Sequence, residues 1–147
     1  MLARTLALTA TVAIPLGMVS PAEAAPAMQI TKVQYNSPGT DTKDNSSLNG
    51  EWVRVKNTAS TARTITGWTL RDTANHVYTF PKTTVEPGAS IYVYTGTGSN
   101  TSTKRYWGMG WHVWNNSGDE KVRLRNANGT AIDSCDYTGS SAGYTTC

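Results

Sequence analysis

The sequence predicts an all-β domain, a sandwich or small barrel of short strands, and three observations carry that prediction. Apolar and polar residues alternate with a period of two in run after run, and no segment has a helical period. The runs are short and are separated by turns rich in Asn, Asp, Ser, Thr, Gly and Pro, the spacing of sandwiches and barrels. The composition agrees: 38% hydrophobic and 16% charged, with five Trp and seven Tyr but a single Phe. Such a balance favours strands over a helical bundle. A chain of 147 residues supports one domain and is too short for a barrel enzyme or a doubly wound nucleotide-binding pair. Its net charge of +3 is mildly basic, well short of a protein that coats nucleic acid.

The elements follow in order. Residues 1–24 have the pattern of a cleavable export signal: one basic residue in Met1–Arg4, an uncharged apolar run from Thr5 to Val19, then Ala22-Glu23-Ala24. Cleavage is expected after Ala24, leaving a single domain over 25–147 with its core at about 28–137. The apolar run is shorter than the roughly 20 residues of a spanning helix, so no transmembrane segment is expected and the protein is expected outside the cell. Gln29–Tyr35 reads as the first strand, and Asn36–Asn49 as a long polar loop. Glu51–Lys56 alternates, Val53 and Val55 taking one face and Arg54 and Lys56 the other. Strand-like runs follow at Thr64–Arg71, His76–Phe80 and Ser90–Tyr94, then a glycine-rich loop over Thr95–Thr103. The clearest hairpin joins Lys121–Arg125 to Thr130–Asp133 through Asn126-Ala127-Asn128-Gly129.

There are two cysteines, Cys135 and Cys147. Outside the cell such a pair reads as a disulfide, and two thiols alone cannot make a zinc site. A bridge would staple the tail after Cys135 back onto the domain and contribute up to about 3 kcal/mol by loop closure.

Several segments in order resemble one family. Gly50-Glu51-Trp52-Val53-Arg54-Val55-Lys56-Asn57, Ile65-Thr66-Gly67-Trp68-Thr69-Leu70 and Tyr78-Thr79-Phe80-Pro81 resemble successive strands of the lamin tail domain. So do the turn at Val85-Glu86-Pro87-Gly88, the strand from Ile91 to Gly98, the tryptophan turn at Val113–Asp119 and the hairpin from Leu124 to Ile132. The resemblance runs from about Met28 to Tyr137. It implies an immunoglobulin-like sandwich of the stand-alone kind that bacteria export, an interaction module with no catalytic residues. The coiled-coil rod and nuclear localisation cluster of lamins are missing, so filament and nuclear roles do not carry over.

The residues themselves give no enzyme signature. His76 and His112 are in no metal-type spacing, there is no G-x-S-x-G elbow, and Gly96-Thr97-Gly98 lacks the third glycine of a phosphate cradle. Asp41–Asn45 resembles a calcium loop only superficially, with Lys43 at its third position. No cofactor, metal site or catalysis is expected. Two features point instead to binding of an extracellular polymer or another protein, an enzyme of unrecognised type being the remaining alternative. Arg54 and Lys56, with Lys121, Arg123 and Arg125, would set five positive charges on one face if their strands shared a sheet, suiting an anionic extracellular or envelope polymer, with nucleic acid a weaker fit. The opposing reading is an ordinary solvated face. Alternatively Trp107 and Trp111, set among glycines, would stack on a neutral glycan, or else fold over the end of the sandwich, while Trp114 is expected in the core.

Overall fold

The computed structural model describes residues 24–147. The expected export signal therefore lies, but for Ala24, outside the described residues. The chain forms β1 (Met28–Gln34), α1 (Asn45–Leu48), β2 (Trp52–Asn57), β3 (Arg63–Thr64), β4 (Thr69–Arg71) and β5 (Val77–Thr79). Then come β6 (Thr84–Val85), β7 (Ser90–Tyr94), β8 (Lys104–Tyr106), β9 (Asp119–Arg125), β10 (Ala131–Thr138) and β11 (Tyr144–Thr146). One sheet has five strands in the order β11-β1-β2-β7-β8, a second has four in the order β10-β9-β4-β5, and β3 and β6 form a small ribbon. The architecture is the expected all-β sandwich.

Alternation buries one face of each sheet against the other. Val53 and Val55 of β2, Ile91 and Val93 of β7, Leu70 of β4, and Val122 and Leu124 of β9 are all buried in one cluster. Phe80 and Trp114 join it, and Trp68 packs half-buried at its margin. In β1 both Ile30 and Val33 point inward although three positions apart, because the register with β2 shifts at a bulge between Ile30 and Lys32.

The departures from expectation are local. The run over Thr64–Arg71 breaks into β3 and β4, since Gly67 turns the chain at φ +78°. The polar loop before β2 contains the helical turn α1. The hairpin at Asn126–Gly129 forms as expected, with the Asn126 side chain accepting hydrogen bonds from the backbone N–H of Asn128 and Thr130 and Gly129 at φ +82°. Cys135 and Cys147 are bonded, with Cα atoms 5.8 Å apart. The bridge joins β10, an edge of the four-stranded sheet, to the chain just past β11, an edge of the five-stranded one. Beside it Tyr35 and Tyr137 stack with centroids 4.3 Å apart.

Candidate binding face

The five predicted cations do not meet. Arg54 and Lys56 lie on β2 of the five-stranded sheet, and Lys121, Arg123 and Arg125 on β9 of the other. In both strands the neighbours of opposite parity fill the core, so the two sets point to opposite outer surfaces of the sandwich. The condition for a single five-charge face, that these strands share a sheet, is not met: there are two separate sets, because strand order puts β2 and β9 in different layers.

The two sets differ electrostatically. On β9 the Arg123 guanidinium donates to Asp136 of β10 in a salt bridge. That hydrogen bond holds the Asp136 carboxyl below its ordinary value of 3.8, with the charges of Arg123 and Lys121 acting in the same direction. Arg125 donates to the Gly129 carbonyl at 3.0 Å. The outer surface of the five-stranded sheet is built otherwise. Its strands contain no Asp or Glu, and Lys32 and Lys104 join Arg54 and Lys56 there. Among the described residues none of these four cations is in a salt bridge. The Arg54 Nε–H donates to Thr31 Oγ1 at 2.7 Å, which fixes the guanidinium against the bulge.

Between the cations stand aromatic residues that the charge pattern alone did not single out. Trp52, Tyr92, Tyr94 and Tyr106 are half-buried on the same surface, and Tyr144 is 46% exposed. Lys32 Nζ lies 4.0 Å from the Tyr144 ring centroid and 5.6 Å from that of Trp52. The signal was parity: if Arg54 and Lys56 face out, so does Trp52, and if Ile91 and Val93 face in, Tyr92 and Tyr94 cannot.

The two tryptophans proposed for a neutral glycan are also separated in role. Trp107 packs on the core, its ring 5.7 Å from Tyr78 and 5.9 Å from Trp114. Trp111 is 57% exposed.

One constellation invites a catalytic reading. At the end of the sandwich Ser47 Oγ is 3.3 Å from His112 Nε2, and His112 Nδ1 is 3.2 Å from Oε1 of fully buried Glu51. The order is that of a nucleophile, base and acid. His112 Nε2 also faces the Thr42 carbonyl at 3.1 Å, a group that can only accept, and the tautomer with the hydrogen on Nε2 satisfies it; in that tautomer Nε2 is no base for Ser47. Ser47 Oγ instead accepts from the Thr42 N–H at 3.1 Å. Burial pushes the Glu51 carboxyl above its ordinary value of 4.5, opposed by hydrogen bonds from the Val113 N–H and the Thr95 hydroxyl. Glu51 and His112 therefore clamp the loop before β2 to the tryptophan turn. Among the described residues no group of three or more His, Cys, Asp or Glu side chains is placed to hold a metal.

A family model described as Lamin Tail Domain matches residues 21–139 of the chain. No curated protein matches it.

Proposed function

The chain belongs to the lamin tail domain family, and from that membership we propose that it is a non-catalytic binding module, exported from a bacterial cell, that takes an anionic polymer outside the cell. The family has an immunoglobulin-like fold and is generally non-catalytic. One observation carries the reading: Lys32, Arg54, Lys56 and Lys104 share a sheet surface whose strands contain no Asp or Glu, and among the described residues none of the four is in a salt bridge. Cations left without anionic partners attract polyanions by counterion release. Export is supported by the Cys135–Cys147 bridge. Among the described residues no helix is long and apolar enough to cross a membrane.

The trio Lys121, Arg123 and Arg125 is the weaker contact, since Asp136 offsets part of its field. The test is the salt dependence of binding to a polyanion such as polyphosphate or DNA. With about −0.9 in log K per log salt for each neutralised phosphate of a duplex, four contacts give a slope of roughly −3.6. Replacing Arg54 and Lys56 together with Ser is expected to flatten the slope by about two units, whereas replacing Arg123 and Arg125 leaves it nearly unchanged. A chain that ignores polyanions at low salt would sink the reading.

A further inference from the structure

We propose that the outer surface of the five-stranded sheet binds an acidic polysaccharide, a glycan chain bearing carboxylates, laid across its strands; the assignment rests on the anionic-polymer reading above. Strand register sorts the surface into two adjacent rows. In one, Tyr144 pairs with Gln34, Gln34 with Trp52, Trp52 with Tyr94 and Tyr94 with Tyr106. In the next, Thr146 pairs with Lys32, Lys32 with Arg54, Arg54 with Tyr92 and Tyr92 with Lys104. Four inter-strand gaps of about 4.8 Å make each row roughly 19 Å long. The surface thus offers hydroxyls and an amide along one line and mostly cations along the line beside it.

A uronate-type chain presents the complement. Its hydroxyls exchange hydrogen bonds with the tyrosine hydroxyls and donate to the Gln34 amide oxygen, the Gln34 amino group being held by the Asn36 and Gly143 carbonyls, and its carboxylates meet Lys32, Arg54 and Lys104. Arg54 is suited to a carboxylate: its Nε is held by Thr31, and its two terminal amino groups have no hydrogen-bond partner among the described residues.

Single-stranded nucleic acid is the competing polyanion, and it needs free ring faces on which to stack. Here several of the faces are engaged, and Trp52 and Tyr92 meet edge to face with centroids 5.2 Å apart. Tyr94 and Tyr106 stack on one another with centroids 5.3 Å apart and planes 21° apart. The Gly98 backbone lies against Tyr106, so that a Cβ at Gly98 would come 2.5 Å from its Cε1 and Cζ. Lys32 covers Tyr144 at 4.0 Å. These contacts leave hydroxyls and cations as the recognition groups.

The experiment is a calorimetric titration of the chain with polygalacturonate, its carboxyl-reduced neutral form, polyphosphate and single-stranded DNA. The expected result is binding to polygalacturonate at least about tenfold tighter than to the reduced polymer. Tyr92→Phe and Tyr144→Phe should each weaken that binding by about threefold or more while changing polyphosphate binding by less than about twofold, because both remove a hydroxyl and leave the rings and the cations in place. Tyr92→Phe removes only a hydroxyl, so it also controls for misfolding. Equal affinity for polyphosphate, tighter binding of single-stranded DNA, or polygalacturonate binding unchanged by both substitutions would overturn the glycan assignment and leave the anionic-polymer reading standing. Failure to bind any of the polyanions overturns both.

Discussion

Tyr78 packs against Phe80 and Trp107 in the core, and the charge of the buried Arg105 acts on its hydroxyl. Burial pushes it up to about 12 from the ordinary 10.0, against the pull of the Arg105 guanidinium. Tyr137 moves in the same direction, first by burial and then by the nearby charge of Glu120. A hydroxyl that holds its proton more tightly in the folded chain stabilises the fold fully below the unfolded value, and that contribution is lost as pH rises through the folded one. Stability should therefore fall between about pH 10 and about pH 12. Tyr78→Phe is expected to matter little at neutral pH and to reduce the alkaline fall by on the order of 2 kcal/mol, measured by urea unfolding at stepped pH. An unchanged profile in the Phe variant would contradict the assignment. At this scale much of the molecule was legible. The inward Val53 and Val55 followed from alternation, and extending the same parity by two residues accounts for Glu51 inside and Trp52 outside, neither of which was foreseen. What alternation does not reveal is that the Thr95 hydroxyl and the Val113 N–H, from distant parts of the chain, converge on Oε2 of the buried Glu51, with the His112 ring 3.2 Å from its Oε1.

Among elements, β11 depends most on a covalent bond. It pairs with β1 at three register positions and is followed directly by Cys147. Reduction, or Cys147→Ser, should raise amide exchange over Tyr144–Thr146 and cost up to about 3 kcal/mol, with β2, β7 and β9 remaining protected. If exchange in β11 does not change on reduction, the bridge is not what holds the strand. Neither β11 nor β8 was foreseen, because a three-residue strand is too short to establish a period. In β8 the buried member is Arg105, a cation by its sequence signature. It is accommodated by hydrogen bonds to the Thr83 hydroxyl at 3.1 Å and to the carbonyls of Thr101 and Lys104. The longer β2, β7 and β9 gave clear alternation and lie close to their expected bounds.

For the whole molecule, stability rests on one core shared by both sheets. Val55→Ala and Leu124→Ala lie in opposite layers and are both fully buried, so each should cost about 2–4 kcal/mol in thermal or denaturant unfolding. Far-ultraviolet dichroism should keep its β character; a loss well under about 1 kcal/mol for both would mean that they do not face a common interior. The sandwich and its family were readable in the sequence, since motif order and strand period survive as linear information. The division of the basic residues was not. Which strands are neighbours depends on crossovers such as β2 to β7, and Arg54 and Arg123 each alternate perfectly well whichever sheet receives them.

The Cys135–Cys147 bond also has a mechanical consequence. A ligand spread along the rows pulls at right angles to the strands, so tension opens the ladders between them pair by pair, like a zip, instead of shearing all their hydrogen bonds together. The ladder between β11 and β1 is only three residue pairs wide, which makes it a place where such a tear would start. There the sulfur–sulfur bond gives the force a second path, around the edge of the sheet into β10 of the opposite layer. Under traction the two layers are thus sewn together at one margin, and an edge strand that leaves its ladder stays tethered to the opposite layer.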